Sequence, residues 1–172
     1  MNIYELSAGD LKGLNSDRAV DFFRKLLWEE ASRVGIGRRL IDAPSCINVG
    51  DGGLDAVIVD AIPSSDDVIP TGFSGFQIKS SDLEPAGCKK ELHQKNKLIK
   101  PGIKKLLDND GTYVLVLFAD ITKPQKDKRE QAIKDELKNL GYTNAKVRIY
   151  AIDNLISFAL RFIPLIAWIK LS

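Results

Sequence analysis

A chain of 172 residues with 44% hydrophobic content is long enough to bury a real core and falls within the range of one domain. A single histidine, His93, rules out most histidine-based catalysis and any multi-histidine zinc site. The two cysteines, Cys46 and Cys88, fit no metal-binding spacing and suit free thiols in a reducing compartment. The formal charge is only +2, so its distribution tells more than its sum. The N-terminal segment is polar, with Glu5, Asp10 and Lys12, so no signal peptide is expected and the cytoplasm is the expected location.

In chain order, the first strong pattern runs from Ser16 to Gly35. It predicts a helix with Ser16 as N-cap and Gly35 as the C-terminal stop. Val20, Phe23, Leu27 and Val34 form its apolar stripe, with Phe22 and Leu26 on the shoulder. Helical phase sets Glu30 near the middle of that stripe and Glu29 off it. A carboxylate on a core-facing surface needs a metal or a cation, or it must pair with a nearby arginine or snorkel outward. Gly35-Ile-Gly37 and Gly50-Asp-Gly52-Gly53 are followed by no Walker-type lysine, which argues against nucleotide binding there. Gly52 and Gly53 instead suit a tight approach that delivers Asp55 to a strand, while Asp51 could reach a second metal but more commonly such a residue is a turn carboxylate.

Leu54–Ala61 and Phe73–Lys79 read as strands, joined by a polar loop that contains Asp66 and Asp67. Alternation and loop position give a register in which Asp55 lies opposite Ile78, one position from Lys79. Gln77 and Lys79 share a face. An acid on one strand and Gln-x-Lys on the next is how a metal-dependent phosphodiesterase assembles its site.

Residues 77–107 then carry eight lysines against Asp82, Glu84 and Glu91, a local excess of five positive charges. Lys89, Lys90, Lys95, Lys97, Lys100, Lys104 and Lys105 form a patch that suits a phosphate backbone, the first four as the nucleic-acid contacts, and His93 reads as a surface or DNA-facing residue of this basic helix. The patch lacks interleaved aromatics, so base stacking is not indicated. Pro101 interrupts or restarts a helix that ends near Gly111, Tyr113–Ala119 is a strand buried on both faces, and Lys126–Leu140 is an amphipathic helix. Lys146–Ile152 is a further strand, after which Asp153 caps a final helix. The fold class is α/β, a mixed central sheet flanked by helices. Leu155–Ile169 is apolar on nearly every face yet too short and interrupted to span a membrane. A helix of that kind needs cover on a second side, from another copy or from further domains of a longer parent chain.

The acidic helix residue, Gly-Gly-Leu-Asp55 and Gln77-x-Lys79 resemble the PD-(D/E)XK restriction-endonuclease superfamily, in its Mrr-like branch, where Gln replaces the usual second acid. Leu26-Leu27-Trp28-Glu29-Glu30-Ala31 and Ile152-Asp153-Asn154-Leu155-Ile156 look like the N-terminal nuclease domains of bacterial antiviral STAND ATPases. The resemblance covers roughly two-thirds of the chain and implies an αβββαβ core in one nuclease-like domain spanning residues 1–172. It further implies Mg²⁺, with Mn²⁺ as substitute, held by Glu30, Asp55 and the main-chain carbonyl of Ile78. Gln77 and Lys79 would act beside the metal on double-stranded DNA, with little sequence specificity. Two alternatives stand beside it: a catalytically silent nucleic-acid-binding or assembly module of the same fold, and a nuclease that cuts junctions or RNA.

Overall fold

The structure is a computed structural model that describes residues 2–43, 52–62 and 68–172. Cys46, Asp51, Asp66 and Asp67, read above as a thiol, a turn carboxylate and loop solvation, lie outside the described residues.

The strand β4 (Thr112–Leu117) is buried at every position, which is why its sequence, TYVLVL, is apolar without alternation. It lies inside a five-stranded sheet of order β1-β2-β3-β4-β5, with β1 (Ile41–Asp42), β2 (Ala56–Ala61), β3 (Gly72–Lys79) and β5 (Lys146–Tyr150). The first three strands pair antiparallel, while β3, β4 and β5 run parallel, so the sheet is mixed and the fold is α/β. The alternating residues of the strands feed two separate cores. Phe76, Ile78, Val114 and Val116 pack into one with α2 (Ser16–Val34) and the C-terminal helices; Tyr113, Leu115 and Leu117 pack into the other with α3 (Pro85–Lys90), α4 (Pro101–Asp108) and α5 (Lys123–Asn139).

Helix ends follow local chemistry, with some changes from the sequence reading. The N-cap of α2 is Asn15, whose side chain accepts from the Arg18 N–H at 2.9 Å, while Ser16 is the first helical residue. Gly35 ends that helix in the left-handed region at φ 82°. α5 begins earlier than expected because Thr122 and Gln125 form a reciprocal cap with Pro124 in the first turn. A short helix, α1 (Ala8–Lys12), and the two-residue β1 were not resolved as such by periodicity; both are shorter than the patterns that reveal elements.

The basic segment is two helices rather than one. Between α3 and α4 the chain makes an excursion over residues 91–100, closed by an antiparallel bridge of His93 with Ile99 and by the Lys100 N–H donating to the Leu92 carbonyl at 2.9 Å. The apolar C-terminal run is also two helices, α6 (Ile152–Ala159) and α7 (Ile163–Leu171), bent by 120°. Leu155, Ala159, Phe162, Leu165, Ile166 and Ile169 are buried in the chain's own core, so much of the cover expected from a partner is internal. Asn154, and not Asp153, caps α6 by accepting from the Ala151 N–H at 2.9 Å; Asp153 pairs with Lys126. Among the described residues, no single helix is long and apolar enough to cross a membrane. On the α2–α7 side, Arg18 stacks over Trp168 at 4.2 Å and Arg24 over Trp28 at 4.8 Å.

Candidate active site

The hairpin of β2 and β3 delivers the first three site residues. Near the loop Ala61 pairs with Gly72, but a bulge around Asp60, at φ 58°, shifts the register by one, so Ala56 pairs with Phe76. Asp55 precedes this ladder, one residue before Ala56, and meets β3 through Phe76 and Ile78. The Asp55 N–H donates to the Phe76 carbonyl at 2.8 Å, and the Asp55 carboxylate accepts from the Ile78 N–H at 2.7 Å. Two residues from Val57, which packs on the Tyr113 side of the sheet, Asp55 lies on the side of Gln77 and Lys79, and its charge acts on Tyr113.

Gly52 and Gly53 explain how the chain arrives there. Both have positive φ, 65° and 97°, and both lie against the start of α4. A Cβ on Gly52 would strike the Gly102 backbone, and one on Gly53 would strike the Lys100 side chain. The Gly102 N–H donates to the Gly52 carbonyl at 2.9 Å, which ties the two segments together.

Gln77 is buried, and its amide is oriented by its partners. Its Nε2 donates to Glu91 at 2.6 Å, and its Oε1 accepts from the Tyr113 hydroxyl at 2.5 Å. Because a carboxylate only accepts, the amide nitrogen must face Glu91 and the phenol must donate. Burial pushes the Tyr113 phenol well above its usual range, and the charges of Glu91, Cys88 and Asp55 push the same way, so it keeps its proton. Lys79 reaches Glu91 at 2.9 Å and Lys100 reaches it at 3.3 Å. Partial burial raises the Glu91 carboxyl, but the hydrogen bond and charge of Lys79, with Lys100 behind it, outweigh burial and hold it below the usual carboxylate range.

The remaining expected site residues fall elsewhere. Glu30 is 1% exposed, as helical phase required, but Arg33 clasps it with both Nε and Nη2, and Arg161 approaches at 3.7 Å. Its helix packs on the face with Phe76 and Ile78, opposite to Gln77 and Lys79. The structure thus gives Glu30 the arginine partner and does not bring it to the cluster. His93 is not on a helix; its ring bridges the Lys97 carbonyl at 3.0 Å and Glu136 at 2.9 Å. Lys90, Lys95 and Lys97 are exposed, Lys89 is half-buried, and none of these lysines pairs with an acid among the described residues. Lys90, Lys95 and Lys97 line an open groove of about 630 Å³ beside His93 and Leu140. Burial pushes the fully buried Cys88 thiol up to about 11, which removes it as a nucleophile.

Sequence reading counted Glu91 only as a charge and Tyr113 only as a strand residue. Glu91 did carry a signal, since it is the one acid between Pro85 and Leu107 in a run of cations. Among the described residues, no three of His, Cys, Asp and Glu converge as a metal cage. The donors beside the cluster are oxygens: the carboxylates of Asp55 and Glu91. That set fits Mg²⁺, which takes one or two carboxylates and keeps water and substrate phosphate for the rest of its shell. Comparison of the chain with protein-family models, with curated proteins and with solved structures finds no match in any of the three.

Proposed function

We propose that this chain is a metal-dependent endonuclease that hydrolyses DNA phosphodiesters with little sequence specificity. The observation that carries the reading is the gathering of Asp55, Gln77 and Lys79 on one side of the β2–β3 hairpin, in a chain whose following segment exposes Lys90, Lys95 and Lys97. The likeness of Gly-Gly-Leu-Asp55 and Gln77-x-Lys79 to the Mrr-like nucleases supports it. Asp55, with the main-chain carbonyl of Ile78, would hold Mg²⁺, and Glu91 is the carboxylate beside them. The ion, when bound, polarises the scissile phosphate and lowers the pKa of water. Lys79 stabilises negative charge that develops on the phosphoryl oxygens. Gln77, locked by Tyr113, points a fixed N–H dipole into the same place. Lys89, Lys90, Lys95 and Lys97 hold the duplex through its backbone, which explains the low sequence specificity. An effector domain of an antiphage protein, acting in the cytoplasm within a longer chain, is the setting that the resemblance supports.

A second reading, a silent nucleic-acid-binding module, is favoured by one specific observation: Lys79 is engaged by Glu91. One experiment separates the two. Linear duplex DNA, single-stranded DNA and RNA are incubated with the protein in Mg²⁺ and in EDTA. Metal-dependent cleavage of the duplex is the expected result. Binding of duplex without cleavage of any substrate establishes the silent module, and preferential cleavage of RNA reassigns the substrate.

A further inference from the structure

Three donors meet a single oxygen of Glu91. Gln77 Nε2 lies 2.6 Å, Lys79 Nζ 2.9 Å and Lys100 Nζ 3.3 Å from the same atom, Oε2. A carboxylate normally shares its donors between two oxygens that offer about four lone-pair sites. Here three of them converge on one oxygen, at a point that other elements of the chain also surround.

Each donor is held by something other than Glu91. Tyr113 fixes the Gln77 amide, β3 fixes the start of the Lys79 side chain, and the Lys100 stem lies under Gly53 with its backbone bonded to Leu92. Two cations and one N–H aimed at a point form a cradle for an anionic oxygen.

We infer that Gln77, Lys79 and Lys100 form a phosphate-oxygen site in which Glu91 is an internal stand-in, displaced when a phosphodiester binds. The carboxylate is suited to leave: its side chain is 21% exposed, and it sits at the end of α3 where the excursion begins. The site then carries a built-in competitor, which weakens phosphate binding until a nucleic acid brings further contacts through its backbone. Lys100 thereby gains a positioning role that its place in a basic run does not disclose. The inference rests on the reading of Lys79 as a phosphate-facing group, but it requires neither metal nor hydrolysis.

The test titrates inorganic phosphate into the metal-free full chain in EDTA at low ionic strength, followed by backbone amide NMR. Wild type, Glu91→Ala, Glu91→Gln and the double variant Glu91→Ala with Lys100→Ala are compared. Glu91→Ala should bind phosphate at least roughly tenfold more tightly than wild type, with shifts at Gln77, Lys79 and Lys100. Glu91→Gln should lie between them, and it carries the test if the alanine variant fails to fold. The double variant should lose the gain. Equal phosphate affinity in wild type and the Glu91 variants, or shifts confined to other surfaces, would overturn the inference. If the cradle behaves as stated but no nucleic acid is cut, the nuclease reading fails alone; if DNA is cut and Glu91 has no effect on phosphate, the cradle fails alone.

Discussion

Asp55 and Lys79 have partners that make their removal informative. Asp55→Ala deletes an acceptor of the Ile78 N–H, and Lys79→Ala deletes one of two cations on Glu91. Each variant should fold and lose at least ~100-fold in cleavage rate, as groups acting electrostatically on a transition state do; near-normal rates in folded protein would remove the residue from the site. Glu30→Gln should behave in the opposite way. The amide keeps an acceptor for Arg33, and the side chains of Arg33 and Arg161 are 34% and 40% exposed to water. Stability should therefore fall by only about 1–2 kcal/mol while metal-dependent cleavage persists. Loss of cleavage in well-folded Glu30→Gln would return Glu30 to the metal. Glu91 also sets a pH dependence. Its folded pKa lies below the usual carboxylate range, so its ion pairs stabilise the fold above that range and are lost as pH falls through the lowered value. Thermal melts across that interval should show a steeper loss for wild type than for Glu91→Gln. The shared face of Gln77 and Lys79 was legible because strand alternation fixes it from neighbours alone; the register at Asp55 was not, because the bulge near Asp60 shifts it. The burial of Glu30 was legible from helical phase, whereas Arg161, its distant partner, left no local trace.

At the scale of elements, the excursion between α3 and α4 does what the sequence assigned to a basic helix. It turns Lys95 and Lys97 outward while burying Leu92, and it returns the chain at Lys100 beside Glu91. Neutralising Lys89, Lys90, Lys95 and Lys97 together should weaken binding to all duplexes alike and flatten its salt dependence, measured by affinity titrations over a salt series. Unchanged affinity would leave them a solvated surface. Long patterned elements such as α2, β4 and α5 could be read because each repeats its period several times. The excursion could not, since it is held by a His93–Ile99 bridge and by contacts to α5, neither of which has a period. The break between α6 and α7 was half legible: the interruption in Leu155–Ile169 is there, but Pro164 sits in the first turn of α7 and begins that helix.

For the whole molecule, the sheet is a partition. One core faces α2, α6 and α7; the other faces α3, α4 and α5, and the candidate site belongs to the second. The chain carries a single Asp55–Lys79 constellation, so a double-strand break requires two copies or two sequential nicks. Leu160, Ile163 and Leu171 are exposed on the helices of the first side, where copies could meet without obstructing the second. Enforced dimerisation should increase linear product from supercoiled plasmid more than in proportion to protein, as read by the ratio of linear to nicked DNA on gels. Efficient linearisation by a monomer would contradict this arrangement. The α/β class was legible from the alternation of strand and helix patterns. The partition was not, because it depends on which helix crosses to which side.

Both tryptophans of the chain, Trp28 and Trp168, belong to α2 and α7, and cationic side chains cover their rings. Intrinsic fluorescence therefore monitors one half of the protein. A red shift marks α7 lifting from α2, while events at Asp55 and Lys79, across the sheet, stay optically dark unless they propagate through β3 and β4. Any emission change during a DNA titration would thus be a measure of communication between the two cores.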